Sequence, residues 1–411
     1  MPVGSDDAAL LRVIEQVFSG QSEDVGVAVS GGSDSVALLH LMAARCARVH
    51  AVTINHDLRA EAAEEARFVA GLCAGLGVQH SVLVWDHGVV AGNLPDAARR
   101  ARYALIADWA GAEGIGRVML GHTADDQAET VLMGLARGAG LDGLCGMRPL
   151  WDRGDVRFER PLLGIARADL RAYLVRAQVA WVDDPTNDDV QYQRVRVRKA
   201  LAVLRPLGIG VESLGEVARN LAVARQALLL AVAEAARRVV RESAGALTID
   251  REAFLALPDD IGRRLLILAL RWVSGADYAP RAEAVARVIG AIELDRDATL
   301  WGCRIRAGGL HTTVVREPKA VADKVAMPDH LWDNRWRVEG PSEPGLQVRA
   351  LGAAGLRACK DWRDTGISRD ALVVSPAIWR GDKVIAAPLA DKSHGWSARI
   401  DAGFISFIIS H

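Results

Sequence analysis

Hydrophobic and polar positions follow two alternating periods along the first two hundred residues. Short apolar runs, typical of buried strands, precede longer stretches whose apolar residues recur at helical spacing. This pattern predicts strands at residues 24–29, 50–54, 78–85 and 117–121, and helices at 36–48, 59–75, 95–114 and 124–137. Strands alternating with helices of this length indicate a parallel sheet covered on both faces. We therefore expect a Rossmann-like α/β domain.

The pattern changes after about residue 205. It predicts one long amphipathic helix at 211–243, further helices at 260–273 and 280–292, and a β-hairpin at 299–317. A linker follows at 320–328, and residues 332–411 mix short strands with turns. We expect three domains, namely an α/β domain at 1–210, a mainly helical domain at 211–319 and a small α+β domain at 329–411.

Composition and charge exclude several classes of protein. The 411 residues carry 50 Lys and Arg against 51 Asp and Glu, so a polyanion would have to bind a local patch. The five cysteines form no CxxC or Cys/His cluster, which argues against zinc, iron–sulfur and disulfide frameworks. No signal peptide or membrane-spanning run is recognisable. We expect a cytoplasmic protein with no membrane partner.

A glycine turn joins the first predicted strand to its helix in VAVSGGSDS, residues 27–35. Its backbone N–H groups, serine hydroxyls and helix N-terminus together suit a pyrophosphate. The first lysine of the chain is Lys199, so this cradle has no lysine of the kind found in GxxxxGK[ST] loops. Asp34 is suited to holding Mg²⁺. The alternative is an ordinary glycine turn with a helix cap.

A second polar motif, GHTADDQAET, follows the fourth predicted strand. On a helix that begins near Ala124, His122, Asp126 and Glu129 share one face. Such a group suits acid–base catalysis, or a metal site aided by Asp125. The alternative is helix capping by Thr123 and Asp125, together with solvated charges.

The segment RVRVR carries the densest local positive charge. We expect it to be extended, with Arg194, Arg196 and Arg198 on one side, and no acidic residue lies between 194 and 205. This arrangement predicts a surface that follows a phosphate backbone. The alternative is a basic stretch that is solvated or paired within the protein.

Several motifs resemble a known family in their order along the chain. VAVSGGSDS matches the signature of the PP-loop ATP pyrophosphatases. Residues 121–147, GHTADDQAETVLMGLARGAGLDGLCGM, resemble the corresponding stretch of the tRNA(Ile)-lysidine synthetases. So do INHDLR, NLPDAARRARY, RPLLGIARADL, and WVDDPTNDD followed by RVRVR. Asp57 stands where that family usually has glycine.

The resemblance implies an ATP-dependent carbon–nitrogen ligase. Free L-lysine would be joined to C2 of the wobble cytidine in the CAU anticodon of tRNA(Ile), through an adenylated cytidine, with release of AMP and pyrophosphate. Asp34, His122 and Asp126 are the expected catalytic residues, with Mg²⁺ at Asp34. The expected ATP-binding residues are Ser30, Gly31, Gly32, Ser33, Asp34, Ser35, Ile54, Asn55 and Gly121. The expected tRNA-binding residues are Arg99, Arg102, Arg194, Arg196 and Arg198.

Two other functions stay open from the sequence. One is another PP-loop enzyme, either a tRNA thiolase or an amidotransferase that adenylates a small molecule, although the chain shows neither thiolase cysteine spacing nor a glutaminase module. The other is an ATP-binding regulator without catalysis. The resemblance assigns the later domains to tRNA binding. The oligomeric state is also open, including a homodimer.

Overall fold

The computed structural model describes most of the chain. The described residues are 7–18, 24–46, 48–55, 62–85, 94–183, 191, 193–276, 278–328, 330–341 and 343–410. Asp57, Asn93 and residues 184–190 of the family-like motifs lie outside these ranges. The chain divides into two compact units, Met1–Arg225 and Gln226–His411. The finer division into three domains stays a prediction.

The first unit alternates strands and helices, as the hydrophobic pattern predicts. Its strands are β1 (Val25–Ala28), β2 (Val49–Asn55), β3 (Gln79–Val84), β4 (Arg117–Leu120), β5 (Leu150–Arg153) and β6 (Val156–Glu159). Its helices are α1 (Ala8–Phe18), α2 (Ser33–Ala43), α3 (Ala62–Leu76), α4 (Leu94–Ala112), α5 (Ala124–Ala136), α6 (Leu141–Leu144), α7 (Arg167–Ala177) and α8 (Gln193–Leu204). A long helix, α9 (Val211–Val239), begins in this unit and ends in the next.

The described strands of the first unit form a six-stranded sheet in the order β3-β2-β1-β4-β6-β5. Neighbouring strands run parallel except for the edge strand β5, which is antiparallel to β6. The predicted α/β fold is confirmed. The strand order reverses between β1 and β4, and ligands of such sheets bind at the carboxyl ends of the strands at that point.

The central strands of the sheet are covered by apolar cores on both faces. Val25 and Val27 of β1 pack with Leu38 of α2 in the core on one face. Ile106 of α4 and Phe158 of β6 belong to the core on the other face. This double burial explains why the strands appear as continuous apolar runs rather than as alternating patterns.

The second unit is mixed α/β with antiparallel sheets. Its strands are β7 (Val240–Ser243), β8 (Ala246–Asp250), β9 (Ala298–Leu300), β10 (Cys303–Arg306), β11 (His311–Arg316), β12 (Trp336–Glu339), β13 (Gln347–Ala350), β14 (Pro376–Arg380), β15 (Lys383–Ala386) and β16 (Ser397–Ile400). Its helices are α10 (Arg251–Leu255), α11 (Asp259–Ser274), α12 (Ala282–Glu293), α13 (Pro318–Val321), α14 (Gly352–Arg357), α15 (Arg369–Val373) and α16 (Phe404–Ser410).

The described strands of this unit form sheets of five, three and two strands. The five-stranded sheet has the order β7-β8-β11-β10-β9, and its β10–β11 pair is the predicted hairpin. The predicted long helix ends at Val239, because Val240–Ser243 instead pairs with β8 as a strand. Among the helices in the described ranges, none combines the length and apolar character needed to cross a bilayer.

Candidate active site

The glycine turn after β1 has the conformation that an anion cradle needs. Gly31 has φ +90°, a value that side chains other than glycine rarely adopt. α2 begins at Ser33, earlier than predicted. The first N–H groups of a helix have no acceptor within the helix, so those of α2 are available next to the loop. Ser35 fixes the loop, since its hydroxyl donates to Gly32 O at 3.0 Å and accepts from Ser30 N at 3.1 Å.

The second motif lies directly beside this cradle. β1 and β4 pair in parallel, so the residues after each strand meet at the same edge of the sheet. The contact at Gly121 is very close, because an added Cβ would lie 2.9 Å from Ser35 Cα and 3.0 Å from Ser35 N. Glycine is therefore required where the end of β4 passes the start of α2.

The two other predicted ATP-binding residues, Ile54 and Asn55, end the neighbouring strand β2. β2 pairs with β1, which places them at the same carboxyl edge. The Asn55 carbonyl accepts a hydrogen bond from Trp85 N at 2.9 Å. Both side chains are partly buried, and they continue the edge on the side of the cradle away from β4.

His122 follows Gly121 and contacts an arginine. Arg160 Nε donates to His122 Nδ1 at 3.2 Å. Burial, together with the positive charge of Arg160, lowers the pKa of His122 to about 3. The positive charges of Arg194 and Arg99 also lower the pKa of His122, while the negative charge of Asp126 raises it. The ring is therefore neutral at physiological pH.

Asp126 both caps α5 and faces the cradle. Thr123 is the N-cap, and Asp126 Oδ2 accepts from Thr123 N at 2.9 Å and from its hydroxyl at 3.0 Å. The capping alternative weighed for this motif is thus present, with Asp126 rather than Asp125 as the capping carboxylate. Asp125 instead accepts from Arg167 N at 2.7 Å.

Arg167, the first residue of α7, connects the two motifs. Its Nε donates to Asp34 Oδ2 at 2.7 Å, and its Nη2 donates to Asp126 Oδ1 at 3.2 Å. Its Nη1 lies 3.7 Å from Glu129 Oε1. One guanidinium therefore lies within ion-pair distance of three carboxylates at the edge of the sheet.

This ion-pair cluster shifts the ionisation of its members. Burial raises the pKa of Asp34, although Arg167 opposes that shift. Burial also favours a higher pKa for Asp126, but Arg167 and the Thr123 backbone outweigh it and hold that pKa below its usual value. Asp126 is consequently a weak base, and its two oxygens are engaged by Thr123 and Arg167.

The arginines of RVRVR do not form the predicted extended row. They lie on α8, where residues two apart point in nearly opposite directions. Arg198 Nε donates to Glu129 Oε1 at 2.6 Å, and Arg194 Nε lies 3.6 Å from Glu129 Oε2. Arg196 is exposed and donates to Gln191 O at 2.8 Å. The expectation of three aligned guanidiniums is wrong because the segment is helical. Arg194 and Arg198 pair with Glu129 of α5, and Arg196 does not share their side of the helix.

Arg99 and Arg102 lie on α4 with exposed side chains. The Arg99 guanidinium lies over the Tyr103 ring, 5.7 Å from its centroid.

Of the residues predicted for the site, the structure brings Asp34, His122 and Asp126 to one edge of the sheet. Arg196 faces a different side of α8 from Arg194 and Arg198.

Two site residues escaped the sequence reasoning. Arg160 and Arg167 both occur in RPLLGIARADL, a motif that was matched to the family without a role for either arginine. Each donates a hydrogen bond to a residue distant in the sequence. Arg160 is 38 positions from His122, and Arg167 is 133 positions from Asp34. The sequence around each arginine gave no signal of these contacts, because the partners are distant in the chain.

Comparisons with known proteins place the chain among its relatives. A PP-loop domain family matches residues 7–204. A tRNA(Ile)-lysidine synthase of Ruegeria pomeroyi is 44% identical over 420 residues, covering 100% of both chains. Another of Anaplasma marginale is 31% identical over 96% of this chain and 91% of that one. A third, of Brucella anthropi, is 32% identical over 93% and 89%.

Proposed function

The chain belongs to the tRNA(Ile)-lysidine synthase family, and on that premise we propose that it joins free L-lysine to C2 of the wobble cytidine in the CAU anticodon of tRNA(Ile). The C2 oxygen of the cytidine attacks the α-phosphorus of ATP, and pyrophosphate leaves. The lysine ε-amine then attacks C2, and AMP leaves. The enzyme is a carbon–nitrogen ligase.

The observation that carries this proposal is the meeting of two motifs at one edge of the sheet. Ser30–Ser35 supplies backbone donors and a helix N-terminus for the phosphates, as an in-line displacement requires. His122 and Asp126 follow the adjacent strand. ATP would lie along this edge, with Ile54 and Asn55 towards the nucleoside and Gly121 beside the loop.

Asp34 is the proposed residue for Mg²⁺. Mg²⁺ usually takes one or two carboxylates together with phosphate oxygens and water, so a single aspartate next to a phosphate cradle fits it. The described residues contain no group of three or more His, Cys, Asp or Glu able to hold a metal, so its other ligands would come from ATP and water. The Asp34 carboxylate meanwhile pairs with Arg167. When bound, Mg²⁺ would neutralise part of the negative charge of the phosphates.

For the tRNA we propose contacts at Arg99, Arg102, Arg194, Arg196 and Arg198. The first two and Arg196 are exposed and suited to phosphates. Arg194 and Arg198 are held by Glu129 and border the same site.

A tRNA substrate and five free cysteines support a cytoplasmic location.

The proposal is tested by incubating the full chain with ATP, Mg²⁺, labelled lysine and a transcript of the tRNA. We expect label on the RNA only when every component is present, and one AMP and one pyrophosphate formed for each lysine incorporated. A transcript with uridine at the wobble position is the matched control and should stay unlabelled.

Other outcomes identify the alternatives. Formation of ADP instead of AMP would contradict a displacement at the α-phosphorus. Pyrophosphate release that is independent of tRNA would favour a small-molecule adenylating enzyme, and ATP binding without AMP would favour a regulator.

A further inference from the structure

Arg160 is held in one orientation by four neighbours. It follows β6, is 6% exposed, and its guanidinium carbon lies 4.1 Å from the centroid of the Trp151 ring. Nη1 donates to Arg148 O at 2.6 Å, and Nη2 donates to Tyr103 Oη at 3.4 Å. Nε, the remaining nitrogen, donates to His122 Nδ1. Every nitrogen of this guanidinium is thus engaged.

This contact determines where the proton of His122 is. A guanidinium can only donate hydrogen bonds, so Nδ1 must offer a lone pair. A neutral imidazole that accepts at Nδ1 carries its proton on Nε2, and an imidazolium could not accept at all. The charged groups around the ring agree, since Arg160, Arg99 and Arg194 disfavour a further positive charge, whereas Asp126 favours it.

We propose that Arg160 is a positioning residue that fixes His122 as the neutral Nε2–H tautomer, so that His122 donates a hydrogen bond during the reaction instead of accepting a proton. The inference rests on the proposed function for the identity of the acceptor. That acceptor is a phosphate oxygen of ATP, on which negative charge grows as the cytidine attacks. His122 gains and loses no proton, and the proton released by the lysine amine passes to water.

The tautomer is measured directly by ¹⁵N NMR of the full chain labelled at histidine. We expect His122, identified by its absence in His122→Gln, to show the Nε2–H pattern without ATP or tRNA. In Arg160→Met, which keeps an apolar chain against Trp151, we expect the two tautomers to mix. Arg157→Met is the matched control, because Arg157 lies on β6, the strand that Arg160 follows, but pairs with exposed Asp152. A Nδ1–H pattern, or no change in Arg160→Met, would overturn the proposal.

Kinetics separate a donor from a base. The amide of glutamine can present an N–H near the Nε2 position but cannot take a proton. We expect His122→Gln to keep adenylation within about tenfold of the wild type and His122→Ala to lose about 10²–10³-fold, as for other donors to a developing oxyanion. Equal losses in the two variants, with unchanged melting temperatures, would overturn the donor role.

The two readouts also distinguish this inference from the proposed function. If the chain forms no lysidine but His122 shows the Nε2–H pattern, the function fails and the positioning by Arg160 stands. If lysidine forms and His122 is a mixture of tautomers in the wild type, the inference alone fails.

Discussion

Gly121 is the residue at which the two halves of the site come closest. A Cβ there would meet the backbone of Ser35, which cannot rotate away as a side chain could. We expect Gly121→Ala to push the start of α2 from β4 and to weaken ATP binding by more than about tenfold, with an overpacking cost of about 1–3 kcal/mol. Isothermal titration with ATP measures the affinity.

Gly116→Ala is the matched control for this substitution. It precedes the same strand, and a Cβ there would meet nothing within 4 Å. Equal ATP affinities of the two variants would contradict the close approach of β4 and α2.

The acid–base character of the site predicts how the second half-reaction depends on pH. The pKa of His122 is lowered to about 3 and that of Asp126 lies below its usual value, so neither changes its protonation around neutral pH. The free amine of lysine then limits attack. We expect kcat/KM for lysine to rise about tenfold per pH unit from about pH 6.5 to 8.5, since the amine has a pKa of about 10.4.

Pyrophosphate release without lysine, measured at the same pH values, controls for the first half-reaction. His122→Gln should show the same slope as the wild type. A plateau near neutral pH that disappears in this variant would instead assign the base to His122.

At the scale of elements, α8 depends on one buried carboxylate of α5. Glu129 has a side chain that is 1% exposed, and Arg167, Arg194 and Arg198 surround it. Removing one partner of a fully buried pair typically costs about 3–5 kcal/mol, and the cost is smaller here because Arg194 and Arg198 stay partly exposed to solvent. We therefore expect Glu129→Gln to loosen α8, seen as faster hydrogen exchange of its amides in the full chain.

Asp142→Asn serves as the control, because it removes an exposed carboxylate of α6 whose Oδ1 lies 3.0 Å from Arg225 Nε. Exposed pairs contribute about 0–1 kcal/mol, so exchange in α8 should not change. Similar exchange in both variants would contradict the anchoring role of Glu129.

α8 also shows where sequence reasoning reaches its limit. The elements from β1 to α5 could be predicted because each buries an apolar face whose period is visible locally. RVRVR alternates like a strand, yet Arg194 and Arg198 lie one helical turn apart and share a carboxylate 69 residues from Arg198. The motifs predicted the glycine turn that we propose as the phosphate cradle, whereas the links made by Arg160 and Arg167 depend on tertiary contacts that no local pattern records.

At the scale of the whole molecule, the described site residues all belong to the first unit, Met1–Arg225. The second unit has its own cores, one of them around α11 and the five-stranded sheet. The family resemblance assigns further tRNA contacts to this later part of the chain, in addition to those proposed on the first unit. The two roles can therefore be separated by a substitution that disturbs the second unit alone.

Asp333 is suited to that substitution because it is a buried charge on which the second unit depends. Its side chain is 1% exposed, and it accepts from Arg316 at 2.9 and 3.0 Å and pairs with Lys324 at 2.7 Å. Its φ of +52° is a left-handed value that asparagine also tolerates. Asp333→Asn thus removes the charge without straining the backbone, at a cost of about 3–5 kcal/mol.

If the second unit holds the tRNA, Asp333→Asn should raise KM for tRNA severalfold while Kd for ATP stays unchanged. Asp297→Asn is the control, since it removes an exposed carboxylate that pairs with Arg306 at 2.6 Å, and it should alter neither constant. A parallel loss of ATP affinity in Asp333→Asn would mean that the nucleotide site depends on the second unit. The assignment of separate roles to the two units would then be wrong, because a defect confined to tRNA binding leaves the ATP cradle intact.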